Sequence, residues 1–219
     1  MDMNEIGTPL APPATVRALR INDPAPDFAA RTTAGDVRLS QFRGQWVVLF
    51  SHPADFTPVC TSEFVALSQR ATDFEARNCV LLGLSVDSLF SHLAWLTDIK
   101  NRFGVRVPFP VIEDPSMAIA QAYGMLDPAS PDSATVRATF VIDPLGIVRA
   151  ISWYPMNVGR SVDELVRLLQ ALQAADQTQA LTPAGWQPGQ PMLSATPLTL
   201  DEAIARDGPS PWYYQEREA

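Results

Sequence analysis

Sulfur and imidazole are scarce in this chain. Among 219 residues, Cys60 and Cys79 are the only cysteines, and His52 and His92 the only histidines. Two cysteines cannot make a disulfide framework. Neither C-x-x-C nor H-x-x-x-H spacing occurs, so no metal centre is expected. Long apolar runs are absent too; the stretch Val80-Leu-Leu-Gly-Leu84 is far too short for a membrane span. Residues 1–16 have neither a basic segment nor an apolar one of the signal-peptide kind, so they read as a mobile tail and the expected location is the cytoplasm. There is no Lys/Arg-rich stretch, and the formal charge is −8. Both argue against nucleic acid or an anionic membrane as partner. No internal repeat is visible.

What is present is a regular alternation of strands and helices. Val37–Ser40 reads as a short strand, and Trp46–Phe50 and Val80–Val86 as buried strands. Between the two buried strands, Phe64, Leu67, Ala71 and Phe74 recur at helical spacing, predicting one helix from Pro58 to about Arg77. Asp87 or Ser88 can cap a helix carrying Leu89, Leu93 and Leu96. Phe109–Ile112 reads as extended. Asp114-Pro115 opens a helix with proline at its first position, stopping at Gly124. Ala138–Ile142 and Ile147–Ser152 flank Asp143-Pro-Leu-Gly146 as a hairpin. Ser161-Val-Asp-Glu164 is a capping box ahead of the stripe Val162, Leu165, Val166, Leu169 and Leu172. The pattern predicts an α/β sheet with helices on both faces. Beyond about Asp176 the composition shifts to Pro, Gly, Gln and isolated aromatics, including Pro211-Trp-Tyr-Tyr214. Such a tail is expected to pack on its own domain or on a second subunit.

Cys60 lies in the stretch Ser51-His-Pro-Ala-Asp-Phe-Thr-Pro-Val-Cys60, directly after the first buried strand. Thr57 suits an N-cap and Pro58 the first helical position. Cys60 is then the third residue of the helix, among the unpaired N–H groups at the positive end of the dipole. That setting stabilises a thiolate, the reactive form of cysteine. The alternative is a small buried hydrophobe, which many free cysteines are. The cap, the proline and the exposure expected of a strand-to-helix loop favour a reactive thiol.

Pro53-x-x-x-Thr57-x-x-Cys60 resembles the active-site signature of the peroxiredoxins, thiol peroxidases of thioredoxin-like fold. Asp55-Phe-Thr-Pro-Val-Cys-Thr61, Ser85-Val-Asp-Ser88, His92-Leu-Ala-Trp95, Pro108-Phe-Pro110, Gly124-Met-Leu-Asp-Pro128, Tyr154-Pro155 and Gly159-Arg160 are similar to the 1-Cys branch. The similarity runs from about Ile21 to the end. It implies a central mixed sheet flanked by helices, plus a C-terminal extension. Residues 1–17 would be the tail, 18–176 the peroxidase domain and 177–219 a dimerisation or assembly arm.

The resemblance also implies roles. Cys60 would be the peroxidatic cysteine, which attacks hydrogen peroxide or an organic hydroperoxide. Thr57 would hydrogen-bond the thiolate and the peroxide, and Pro53 would shield the thiolate from water. Arg137 would hold the thiolate ionised and stabilise developing charge. Glu63 and Arg160 match a supporting ion pair; ordinary exposed charges are the alternative. His52 would bind peroxide or oxidised sulfur, or else is a strand-end histidine bonded to backbone, and both readings stand. No cofactor is implied.

The sulfenic acid formed on Cys60 must be reduced. Cys79 lies beyond a whole helix and opens an apolar strand, too far for a disulfide. The implied reductant is therefore external: glutathione, a thioredoxin-like protein or a small thiol. The implied assembly is a homodimer or a ring of dimers. A disulfide reductase would need C-x-x-C, and Glu63 stands at the second position. The phospholipase activity of the mammalian bifunctional relative is not expected, because Ser40, Gln45 and Leu145 occupy the matching positions. The other class of function is a redox-sensing or chaperone-like assembly whose oxidised form binds partners.

Overall fold

A computed structural model describes residues 18–126 and 132–218. The tail expected at 1–17 lies outside them, as do Asp127 and Pro128. The strands are β1 (Ala29–Thr32), β2 (Gly35–Arg38), β3 (Trp46–Ser51), β4 (Cys79–Ser85), β5 (Val111–Glu113), β6 (Arg137–Ile142), β7 (Val148–Tyr154), β8 (Met192–Leu193) and β9 (Glu216–Arg217). The helices are α1 (Pro58–Gln69), α2 (Ala71–Glu75), α3 (Leu89–Phe103), α4 (Ala118–Ala122), α5 (Val162–Thr178) and α6 (Leu200–Arg206). Seven strands form a mixed sheet in the order β2-β1-β5-β4-β3-β6-β7. The β3–β4 and β4–β5 pairs are parallel; the others are antiparallel.

The central strand shows why an unbroken apolar run belongs there. Every residue of β3 is buried, as expected of a strand covered on both faces. Val48 and Phe50 point into a layer shared with Phe64 and Leu67 of α1, Trp95 and Ile99 of α3, and Leu165 and Leu169 of α5. Val47 and Leu49 point the other way, toward Leu39, Ile119 and Ala120 of α4, Tyr123 and Phe140. Gly83 faces Phe50 across the β3–β4 ladder. A Cβ there would stand 3.3 Å from both the Phe50 and Phe64 rings. Its absence lets Phe50, Phe64 and Phe109 pack edge to face, with centroids 5.5–5.8 Å apart or tilted at that spacing. That cluster seats α1 on the end of β3.

Two helices depart from the sequence reading. The helix expected to run unbroken from Pro58 stops at Gln69, and Arg70 leaves helical geometry before α2 begins. Arg70 there bonds to Asp73 and Asp163. The helix expected to open at Pro115 begins only at Ala118. Asp114 accepts the Met117 N–H with its carbonyl and the Ala120 N–H with its carboxylate, forming a turn first. The N-cap of α5 follows the sequence reading, since Ser161 Oγ accepts from the Glu164 N–H, but the box does not close: the Glu164 carboxylate accepts from Arg167 instead.

Beyond α5 the expectation for the aromatic tail divides. Trp186 is buried against Ala171, Ala180 and Met192, and its indole N–H donates to the Gln190 carbonyl. Leu198, Leu200, Ile204, Tyr213 and Tyr214 are exposed. Among the described residues no helix is long and apolar enough to cross a membrane.

Candidate active site

Chain direction places the site. The end of β3 delivers Ser51 and His52 to the edge of the core, and a short loop returns the chain into α1. Ser51 Oγ donates to the Val136 carbonyl and accepts from the Ala138 N–H, while Thr135 Oγ1 donates to the His52 carbonyl. These bonds fix the loop against the start of β6. Phe56 adopts a left-handed φ of 56°, uncommon for a bulky side chain. Thr57 is extended at the N-cap position with Pro58 at the first helical position. Its hydroxyl does not cap the helix; it donates to the Ala54 carbonyl at 2.8 Å. The oxygen keeps its lone pairs for another donor. Pro53 is buried.

Cys60 is fully buried, which corrects the exposure expected of this loop. The cover comes from distant chain: β6 and the segment after β7 fold over the first turn of α1. Arg137, first residue of β6, points Nη1 at Cys60 Sγ from 3.3 Å. The same Nη1 donates to Glu63 Oε2 at 2.9 Å, and Nε and Nη2 both donate to the Met156 carbonyl. The guanidinium is thereby held from three sides.

Glu63 lies one turn beyond Cys60. Its Oε1 accepts from the Arg160 backbone N–H and Nε, and its Oε2 from Arg160 Nη2 and Arg137 Nη1, all between 2.7 and 2.9 Å. Burial alone would raise the Glu63 pKa, but these Arg160 and Arg137 bonds hold it below the usual carboxylate range. Arg160 also donates to the Ala138 carbonyl and Thr139 Oγ1, and sits 5.1 Å from the Phe50 ring centroid. Two guanidiniums and one carboxylate leave this buried cluster one positive charge in excess. A thiolate on Cys60 would neutralise it.

His52 is wholly buried and contacts the Phe64 ring at 4.9 Å between centroids. Its Nε2 lies 2.9 Å from Asp55 Oδ1, and the other carboxylate oxygen lies 2.8 Å from His92 Nδ1. His92 Nε2 lies 3.2 Å from the Ile112 carbonyl. The strand-end histidine is thus bonded to a carboxylate by its side chain, and Nδ1 is left without a partner. Among the described residues this is the one cluster of metal-ligating types. Each facing pair is at hydrogen-bond distance, which leaves His52 Nδ1 as the one ligand-type atom of the three without a partner. Asp55 and His92 lie in the stretches Asp55–Thr61 and His92–Trp95, whose sequence alone gives neither residue a role. Nothing local marks two positions 37 residues apart as partners.

Cys79 stands at the other end of the sheet. It pairs with Trp46 at the start of β3, whereas Cys60 follows the end of that strand. The strand spans about 17 Å between those levels.

The sequence matches the AhpC/TSA family over residues 21–151, and the C-terminal domain of 1-Cys peroxiredoxin over residues 171–206. Peroxiredoxin 2 of Caldanaerobacter subterraneus subsp. tengcongensis is 51% identical over 187 residues, covering 85% of each chain. Peroxiredoxin 2 of Thermoplasma acidophilum is 50% identical over 184 residues, covering 84% of this chain and 92% of that one. A yeast mitochondrial 1-Cys peroxiredoxin, solved to study thiol resolving through glutathione/thioredoxin systems, superposes with a TM-score of 0.82. It is 39% identical, with 92% of this chain and all of that one covered. On these matches the chain belongs to the AhpC/TSA family, and is a thiol-dependent peroxidase of the 1-Cys peroxiredoxin type.

Proposed function

We propose that Cys60 is the nucleophile of this peroxidase and that Arg137 is its principal electrostatic support. The observation that carries the reading is the 3.3 Å approach of a guanidinium, itself locked by Glu63 and Met156, to the sulfur. The thiolate attacks the terminal oxygen of the peroxide. An S–O bond forms, the O–O bond breaks, and the departing oxygen leaves as water or alcohol after taking up a proton. Charge grows on that oxygen in the transition state, and the excess positive charge of the cluster stabilises it without reorganisation. The Thr57 oxygen accepts from the peroxide hydroxyl, and Pro53 keeps water from the sulfur.

Cys60 then carries a sulfenic acid. Cys79 is at the far end of β3, so an external thiol performs the reduction. Glutathione and a thioredoxin-like protein both fit; the yeast relative is described with both systems. The exposed Leu198, Leu200 and Ile204 of the C-terminal arm fit pairing with a second copy of the chain.

The test is rapid mixing of pre-reduced protein with equimolar hydrogen peroxide, read by intact mass. One oxygen should appear quickly on Cys60, and Cys60→Ser should gain none. Oxidation of the wild type no faster than a free thiol at the same pH would refute the reading.

A further inference from the structure

Four methionines lie among the described residues, and their exposure differs. Met125 and Met192 are buried, and Met117 is half-buried ahead of α4. Met156 is 47% exposed, whereas Cys60 is 0% exposed. Met156 belongs to the segment 155–159, which is exposed along its whole length between β7 and the buried Arg160. The Val158 N–H donates to the Pro155 carbonyl at 3.2 Å and closes a turn. The segment is tied down on either side of its tip. The Met156 carbonyl accepts from Arg137 Nη2 at 2.7 Å and from Nε at 3.0 Å. The Arg160 N–H donates to Glu63 Oε1 at 2.8 Å.

An exposed thioether thus stands on the residue whose backbone holds the guanidinium at Cys60. The Nε–Nη2 edge of Arg137 rests on that one oxygen, while Nη1 faces Glu63 and the sulfur. Peroxide in solution reaches the Met156 side chain without any movement of the fold. It oxidises a thioether to a sulfoxide, which makes a flexible apolar side chain polar. The step balances with peroxide as the sole oxidant. The thioether sulfur attacks one peroxide oxygen, an S–O bond forms and the O–O bond breaks. The other oxygen takes the proton of the transferred one and leaves as water or alcohol. Sulfur gives up two electrons and the peroxide gains them.

We propose that Met156 is a modification site: excess peroxide converts it to the sulfoxide, which loosens the grip on Arg137 and slows the reaction of Cys60. The effect on rate rests on the peroxidase reading. The sulfoxide oxygen is a strong acceptor on the same residue as the gripping carbonyl. It draws the turn toward water or competes for the donors of the fork. Either moves the carbonyl from the place where one oxygen takes two N–H groups. The guanidinium then swings on Glu63 alone, and its approach to the sulfur is no longer fixed. Because methionine sulfoxide can be reduced enzymatically, the brake is reversible.

The experiment exposes the full chain to excess hydrogen peroxide and then to dithiothreitol, which returns sulfenic acid to thiol and leaves sulfoxide in place. Peptide mapping should find one added oxygen on Met156 before Met117, Met125 or Met192 gains any. Cys60→Ser should give the same order, and that arm does not depend on the peroxidase reading. Rapid mixing of the treated wild type with fresh peroxide should then show a rate constant lower by about tenfold, the worth of one hydrogen bond to a charged group. Sulfinic acid on Cys60 would remove amplitude and leave the rate constant of the remaining thiol unchanged. Treatment with both methionine sulfoxide reductases should restore the rate constant. Met156→Leu, read against its own starting rate constant, should show no loss that the reductases repair. Oxidation of another described methionine ahead of Met156 would overturn the proposal. So would a Met156 sulfoxide with an unchanged rate constant, or the same repairable loss in Met156→Leu. Should Met156→Leu not fold, the repair of the wild type decides. The rate of the untreated wild type separately tests the peroxidase reading, so the two failures are distinguishable.

Discussion

The two cysteines sit at opposite ends of the same pair of parallel strands, and burial does not tell them apart. Cys60 is 0% exposed and Cys79 is 6% exposed. By surface alone Cys79 would be the more accessible thiol. What differs is the company each keeps. Cys60 stands in the first turn of α1 with a guanidinium 3.3 Å away. Cys79 opens β4 in apolar surroundings, its weak S–H contact being to a backbone carbonyl. Burial there pushes its thiol up to about 12. Reactivity in this fold is set by what surrounds a sulfur once it has left water.

The comparison would break most severely if the roles could be exchanged. Cys60→Ser should abolish peroxide consumption, and Cys79→Ser should retain the wild-type rate constant. The latter variant places a hydroxyl in an apolar strand and should lose roughly 1–3 kcal/mol of stability, read by urea unfolding. Peroxide turnover lost in Cys79→Ser while the fold persists would mean that both thiols serve the reaction.

Next in size is the effect of removing the company and keeping the sulfur. Arg137→Ala should slow oxidation of Cys60 by about 10²-fold or more, as loss of one preorganised donor does elsewhere. Glu63 would keep its bonds to Arg160, so the network would not be left with an unpaired carboxylate. Arg137→Lys should recover part of the rate, because a point charge replaces a fork that also grips Met156. Equal rates in wild type, Ala and Lys variants, from single-mixing kinetics, would remove Arg137 from the mechanism.

A smaller effect concerns labelling. With a small alkylating reagent near pH 8, Cys60 should react at least about tenfold faster than Cys79 in the folded protein, because the thiolate is the nucleophile. Peptide mapping after short exposure gives the ratio. In urea the two should converge. Preferential labelling of Cys79 in the native state would mean that accessibility, and not ionisation, ranks these thiols.

How much of this could be read from the chain depends on how local each cause is. The β3 run, the β4 run and the Ser161 cap carry their information within a few residues, and the structure follows them. So does the placement of Cys60 at the third position of a helix. Its burial did not show, because the cover comes from Arg137 and Met156, far along the chain. Family resemblance supplied Arg137, Glu63 and Arg160 as names. No pattern predicts that one carboxylate takes four donors from residues 74 and 97 positions away. The start of α4 lies later than Pro115 suggests because Asp114 satisfies its own turn before the helix begins. The Asp55–His92 bond is not legible in the sequence for the reason that applies to Arg137: it spans elements that only the sheet brings together.

The smallest effect separates the thiols by their protons. In the unfolded chain Cys79 ionises near pH 8.5, whereas in the fold it stays protonated up to about 12. Between those values the native state binds more protons than the unfolded state, so stability falls as pH rises. At pH 9.5 the loss from this group is on the order of 1 kcal/mol. Lysine and tyrosine titrate in the same range, so the informative quantity is a difference. The stability of wild type minus that of Cys79→Ala, measured by urea unfolding at pH 7.5 and 9.5, should shrink by that amount. An unchanged difference between those two pH values would mean that Cys79 ionises in the fold as it does in the unfolded chain, and that the apolar strand does not hold its proton.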